Sequence, residues 1–387
     1  MKNSFCMNQN IDKMLPFLAM EVLERAQELE SQGINVIHME VGEPDFNVPQ
    51  CVVKAVAEAM ENGHTHYTHS LGNLNLREAI ADLYAREHGT NFTANNVVVT
   101  SGSSPAILMV LQLLCNPGDE VIIFNPGYPC YRNFTLAANA VPVEVLLDPD
   151  KGFKINIDDI KAKITSKTRA IFITSPSNPL GNVIDGETLK AIANLGVTVI
   201  SDEIYQGLVY KDEAHSILEY TSDAIVINGF SKRYAMTGLR LGYIVAPLKY
   251  MRKLQIMHQN LFICAPSISQ EAALEALRNA DKDVEYMRQT YDQRRKFLVE
   301  NLRKIGFGIA TEPEGAFYVF ADARKFTNDS YRFAFDILEN AHVGVTPGTD
   351  FGSQSQGFIR LSYANSLENI AEGVKRIDNF LKTKYNV

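Results

Sequence analysis

An α/β fold with a mostly parallel sheet is predicted by three features of the chain: short apolar runs, stretches of helical period, and their regular alternation. The runs are VVVT (97–100), VIIF (121–124), AIFIT (170–174), VTVISD (197–202), IVINGF (225–230) and GYIVAP (242–247). A strand covered by helices on both faces is apolar throughout instead of alternating, so these segments are expected to be buried strands of a doubly wound core.

Taken in order, the first element is a helix in which Leu18, Val22, Ala26 and Leu29 recur at helical spacing and Gly33 supplies the C-cap. VGEPDF (41–46) opens a loop, and further helical patterns cover 50–62, 74–88 and 105–115. Beyond the last core strand a long charged helical stretch is expected over about 271–305. Short strands near 316–320 and 357–362 and helices near 330–340 and 367–382 then suggest a separate, smaller α/β lobe. The N-terminal helix is expected to pack on that lobe. The expected division is an arm and helix over 1–45, a large domain over 46–285 and a small domain over 286–387. No repeat of fixed period, low-complexity run or Pro/Gly/Ser-rich linker separates the lobes, so the hinge is expected to be helical.

The 387 residues, 46% hydrophobic and 21% charged, suffice for one large core and a second, smaller one. A net charge of -8 leaves no basic excess to neutralise phosphates, which argues against nucleic acid or an anionic membrane as the main partner and favours a small molecule. Cys6, Cys51, Cys115, Cys130 and Cys264 show no paired short spacing, so neither a disulfide framework nor a zinc site is expected, and a reducing cytoplasm fits. The first residues lack an uninterrupted apolar segment and no later run is long enough to span a bilayer, so no membrane association is expected. His64, His66 and His69 lack acidic or thiol partners at ligand spacing, and no metal is expected.

The run VTVISD ends in Asp202, with Glu203 and Tyr205 just beyond, at the carboxyl edge of the sheet where open α/β folds bind ligands. IVINGF runs into Ser231 and Lys232, and Arg240 follows within MTGLRLGY (236–243). The turn Ser101–Gly102–Ser103–Ser104 leads from a strand into a helix, where backbone N–H groups and hydroxyls cradle phosphate. Read singly, each residue has a plainer alternative: Lys232 a solvated charge, Asp202 a helix N-cap, Asn178 a turn, Tyr128 a core ring, Arg360 a surface ion pair.

Together, SPSNPLGNV (175–183), SDEIY (201–205), SKRYAMTGLRLGY (231–243) and GFIRLS (357–362) resemble, in order, the motifs of the class I/II pyridoxal-phosphate-dependent aminotransferases, aspartate aminotransferase-like enzymes of fold type I. The likeness covers nearly the whole chain, from VGEPDF and HYTHSLGNLNLREAI (66–80) to Arg360. It implies a seven-stranded, mostly parallel sheet with a smaller α/β domain, and pyridoxal 5'-phosphate as cofactor. It also implies that Lys232 holds the cofactor as a Schiff base and moves the substrate Cα proton, a lysine amine being suited to both tasks. Asp202 would keep the pyridine nitrogen protonated, Tyr205 would donate to the ring hydroxyl, and Asn178 would bond that oxygen and the substrate carboxylate. Tyr128 would stack on the ring, while Ser103, Ser104 and Arg240 would hold the phosphate. Arg360, with the Gly42 backbone beside it, would bind the α-carboxylate, and Tyr67 would reach in from the other subunit of a homodimer with shared active sites.

Two departures stand out. Gly229 occupies a position where many relatives have a phosphate-contacting serine, so Ser231 or a backbone group is expected to cover that contact. The stretch Asn260–Leu261–Phe262–Ile263–Cys264, expected to be a loop, is apolar where aspartate-specific relatives grip a distal carboxylate, and Ser104 stands where some have lysine. The implied reaction moves an amino group from an L-amino acid to a 2-oxo acid, with glutamate and 2-oxoglutarate as one pair and an aspartate, aromatic or alanine-type partner. The alternatives are a carbon–sulfur lyase on the same fold and a non-catalytic ligand sensor.

Overall fold

The computed structural model describes residues 8–211 and 214–385. Its strands are β1 (Ile37–His38), β2 (Val97–Thr100), β3 (Glu120–Asn125), β4 (Val141–Leu146), β5 (Thr168–Thr174), β6 (Thr198–Asp202), β7 (Ile225–Gly229), β8 (Gly242–Val245), β9 (Tyr318–Asp322), β10 (Val343–Gly344), β11 (Thr346–Pro347) and β12 (Phe358–Ser362). Seven of them form one sheet in the order β2-β8-β7-β6-β5-β3-β4. Its pairs are parallel except that β8 runs antiparallel to both neighbours.

The apolar runs lie in this sheet, and their residues alternate between two cores. Val97 and Val99 face one cluster and Val98 the other; Ile171 and Ile173 oppose Ala170 and Phe172 in the same way. With helices on both faces, each such side chain is removed from water, worth about 1.5–3 kcal/mol for a Val, Leu, Ile or Phe. The strand β4, VPVEVL, is absent from the sequence reading. It is an edge strand with Val141 and Leu146 exposed, and its Pro142 and Glu144 interrupt the apolar run that marks the others.

The expected single helix over 271–305 is two helices, Ser267–Asn279 and Asp281–Lys304, separated at Ala280. The acidic Asp281 and Asp283 open the second, where they complement the positive end of its dipole. Likewise, the stretch 260–264 is not all loop, since the helix Leu248–Leu261 runs into it. The N-terminal helix Leu18–Ser31 buries Val22, Ala26 and Leu29 against Leu338 of helix Ser330–Ala341. A three-stranded antiparallel sheet, β11-β12-β9, carries the second lobe, and β1 pairs with β10 beside it. Cys51, Cys115, Cys130 and Cys264 are free thiols; Cys6 lies outside the described residues.

Candidate active site

A cavity of about 330 Å³ opens at the carboxyl ends of the parallel strands, closed on its other sides by the small sheet and the start of the N-terminal helix. Of the residues expected at a site, Gly42, Ser103, Ser104, Tyr128, Asn178, Asp202, Tyr205, Ser231, Lys232, Arg240 and Arg360 all line it. Tyr67 does not; it is 81% exposed on this chain's surface.

Asp202 ends β6 and is buried. Its Oδ2 accepts from the Tyr131 hydroxyl at 2.7 Å and its Oδ1 from the backbone N–H of Ile204 at 3.1 Å. Tyr131 in turn accepts from Thr174 of β5 at 2.8 Å, so a chain of hydroxyls fixes the carboxylate. Burial pushes the Asp202 carboxyl up to about 6, against these donors and the nearby Lys232. Asp202 therefore bonds a local N–H as a cap would, but a turn and not a helix follows it.

Lys232 lies three residues beyond β7. Its Nζ donates to the Gly42 carbonyl at 2.6 Å, and burial lowers its pKa to about 8, with Arg360 and Arg240 acting in the same sense and Glu43 and Asp202 against it. The surface reading of this lysine is thereby excluded. A β-carbon on Gly42 would strike the Tyr318 hydroxyl, so only glycine brings this carbonyl so close.

At the other end of the cavity, helix Ser103–Leu114 begins after Gly102, whose φ of +104° suits glycine. A β-carbon there would lie 2.9 Å from Arg240 Nη2, which shows how closely the guanidinium covers this helix start. Free backbone N–H groups, two serine hydroxyls and an arginine thus converge, the donor set a phosphate requires. Gly229 is buried within β7, while Ser231 lines the cavity.

Arg360 sits in the middle of β12 and is 1% exposed. Its Nη1 donates to Asn178 Oδ1 at 2.9 Å, and its Nη2 to the Glu40 carbonyl and, at 3.1 Å, to the Thr346 hydroxyl. The guanidinium lies 4.3 Å from the Tyr318 ring centre and 5.0 Å from that of Phe351. Its Nε is buried without a partner, and no carboxylate among the described residues pairs with it, which overturns the surface ion-pair alternative. The Tyr205 and Tyr318 hydroxyls are 2.8 Å apart, and the Tyr128 ring stands edge-on to Tyr131.

Sequence reasoning missed Tyr131, Tyr318, Thr346, Phe351 and the Glu40 carbonyl. Tyr131 could have been found as the buried face of helix Cys130–Ala137, which begins two residues after Tyr128. The others carry no local signal, since their role depends on how distant segments meet.

A mostly parallel sheet with a cationic, carboxylate-bearing cavity at its carboxyl edge defines a pyridoxal-phosphate enzyme of the aspartate aminotransferase fold. The family model for aminotransferase class I and II matches residues 34–377, and the chain belongs to that family. A (5-formylfuran-3-yl)methyl phosphate transaminase of Methanocaldococcus jannaschii is 41% identical over 369 residues, 94% of this chain and 96% of its own. The aspartate aminotransferase of Thermus thermophilus, solved with maleate, superposes with a TM-score of 0.93 at 35% identity, over 97% of this chain and all of that one. The aromatic aminotransferase of Pyrococcus horikoshii does so with a TM-score of 0.88 at 36% identity, over 94% and 100%. The protein is thus a pyridoxal-phosphate-dependent aminotransferase.

Proposed function

We propose that Arg360 receives the α-carboxylate of an amino acid while Lys232 works at its Cα, the amino group passing to a 2-oxo acid in two half-reactions. The observation that supports this most strongly is Arg360 itself. A fully buried cation between two aromatic rings, with an orphaned Nε and no carboxylate partner among the described residues, is costly unless an anion joins it. A planar carboxylate is the anion its two-pronged geometry suits.

Bound in this cavity, pyridoxal phosphate supplies an aldehyde that captures amines and a pyridine ring that draws electrons from the Cα–H bond. In this reading Lys232 would hold it covalently, Ser103, Ser104, Ser231 and Arg240 would hold its phosphate, and Tyr128 would serve its ring. Asp202, ionised at neutral pH, favours a protonated pyridine nitrogen, and Tyr205 and Asn178 donate to the ring oxygen. The depressed pKa of Lys232 suits an amine that must take a proton from Cα and return it.

Glutamate and 2-oxoglutarate are proposed as one substrate pair. Relatives are named for aspartate, aromatic amino acids and a furan phosphate, so the other pair is not fixed by likeness. We also propose a homodimer: Tyr67, Leu261 and Ile263 are exposed, and the Thr68 N–H reaches Cys264 Sγ at 3.4 Å, joining these segments into one apolar patch from which Tyr67 would enter the partner's cavity. A cytoplasmic location agrees with the four free thiols, and no described helix is long and apolar enough to cross a membrane. The division into arm (1–45), large domain (46–285) and small domain (286–387) is supported by the seven-stranded sheet, whose strands all fall within 46–285, and the three-stranded one, whose strands all fall within 286–387.

The test is a titration of the purified enzyme with a panel of amino acids, following the visible absorbance of the cofactor. Loss of the band with an amino acid and its return with a 2-oxo acid is the expected result. A band that persists with every amino acid, or release of pyruvate and ammonia, would refute it.

A further inference from the structure

We propose that His38 is a positioning residue for Arg360: its ring holds the buried carboxylate of Glu40, and Glu40 in turn offers the backbone carbonyl on which the arginine rests. The proposal rests on the reading that Arg360 takes the α-carboxylate.

The segment from His38, at the end of β1, to Gly42 meets both functional cations through its main chain. Arg360 donates to the Glu40 carbonyl and Lys232 to that of Gly42. Neighbouring strands hold Met39 in between, its N–H donating to the Gly344 carbonyl at 3.0 Å and its carbonyl accepting from Ser362 at 2.7 Å. Glu40, one residue on, is also held by its side chain. That side chain is fully buried, and it lies so close to Gly344 of β10 that a β-carbon there would overlap the carboxylate.

The carboxylate has one donor among the described residues. Its Oε1 is 2.7 Å from His38 Nδ1, while its Oε2 is buried without a hydrogen-bond partner. His38 Nε2 lies 3.2 Å from Glu30 Oε1 on the N-terminal helix. A carboxylate only accepts, so each ring nitrogen must present an N–H, and the ring that carries two is the imidazolium. The hydrogen bond to Glu40 raises the His38 pKa to about 9 against the effect of burial, with the charges of both carboxylates and the bond to Glu30 adding to it, so the ring is charged near neutrality.

A buried carboxylate is stable only while it is paired. Without the imidazolium, Glu40 would keep no donor among the described residues, and the water nearest to it lies beyond His38, which is 29% exposed. The side chain would turn toward that water and draw its own carbonyl along. Arg360 is clamped between the Tyr318 and Phe351 rings and cannot follow freely. The seat of the α-carboxylate is then mis-set. This is a defect of binding more than of proton transfer, because Lys232 is delivered separately by β7.

The test is a double-mutant cycle on the holoenzyme, His38→Ala with and without Glu40→Gln. Single turnovers with glutamate, aspartate and phenylalanine are followed by cofactor absorbance, which yields an apparent Kd and a limiting rate for each. His38→Ala is expected to raise the Kd at least about tenfold and to lower the limiting rate less than about threefold. On the Glu40→Gln background, where no buried charge awaits a partner, the same substitution should raise the Kd no more than about threefold. If the alanine variant does not fold, His38→Gln takes its place in the cycle. A rise in Kd that disappears on the Glu40→Gln background is then the expected result, and a rise that persists is the contrary one. A Kd within about twofold of wild type for His38→Ala, an equal rise on both backgrounds, or a loss confined to the limiting rate would overturn the positioning role. If the wild type reacts with none of the three amino acids, the reading of Arg360 fails first and the role of His38 falls with it.

Discussion

On the large sheet, Asp202 and Lys232 reach the cavity from neighbouring parallel strands, at the end of β6 and three residues past β7, whereas on the small sheet Arg360 stands in mid-strand and is held by groups from residues 40, 178 and 346. The first arrangement is local. A buried parallel strand delivers whatever follows it to the carboxyl edge, and the side chain there is free to serve chemistry. The second is a junction of four segments, in which the binding group is also part of what joins the lobes. Substitution should therefore separate activity from stability on the large sheet and couple them on the small one.

The largest effect is expected for Lys232→Ala, with transamination reduced at least about 10⁴-fold because base and covalent anchor are lost together. Lys232 is desolvated with no ion pair among the described residues, so its removal should leave the melting temperature of cofactor-free protein unchanged or raise it. A marked drop in melting temperature would break the proposed separation. Arg360→Lys is expected to lower kcat/KM for amino acids about 10²-fold, chiefly through KM, since a lysine cannot make the two-pronged contact. Here stability should fall as well, by about 1–3 kcal/mol, because Asn178, Thr346 and the Glu40 carbonyl lose their donor. Calorimetry on the variant, set beside its kinetics, reads both quantities.

The same contrast explains what could be read from the sequence. Asp202, Lys232 and Arg240 stand in short motifs attached to apolar runs, so their positions follow from the strand pattern and from the family likeness. Arg360 could be named from GFIRLS, but not the groups that hold it. Glu40 is 320 residues away, and it meets Arg360 through a backbone carbonyl, which its side chain does not announce. Asp350 caps a helix from 332 residues away, in place of the residue just before the helix where caps are sought. The edge strand β4 and the break at Ala280 were hidden for a different reason. An exposed edge needs no apolar run, and two consecutive helices share one period.

A smaller effect should sharpen the picture of the large sheet. Tyr131→Phe removes the 2.7 Å donor to Asp202 and leaves the ring in place. The pKa of the carboxyl, which burial raises and the Tyr131 donor lowers, should rise, and the acid limb of the kcat profile should move to higher pH with it. A loss of about tenfold in kcat near neutrality is expected, one hydrogen bond to a charged group being worth about 1.5–3 kcal/mol. An unchanged acid limb would show that Tyr131 serves packing alone.

The smallest effect concerns the charge on Lys232. Burial lowers its pKa to about 8, so the neutral amine that must attack an aldehyde becomes the major form just above the physiological range. Cofactor-free protein should accordingly take up pyridoxal phosphate about threefold faster at pH 8.5 than at pH 7.5 and level off above, whereas an ordinary lysine, near 10.5, would go on accelerating roughly tenfold per unit. The stability of the cofactor-free chain follows with a definite sign. The folded state holds this proton less tightly than the unfolded one, so Lys232 disfavours folding below pH 8, and the penalty fades as pH rises from about 8 toward 10.5. Lys232→Met keeps the stem without the charge and should abolish that rise. A rise that survives the substitution would assign it to other groups and leave the lysine's depressed pKa without support.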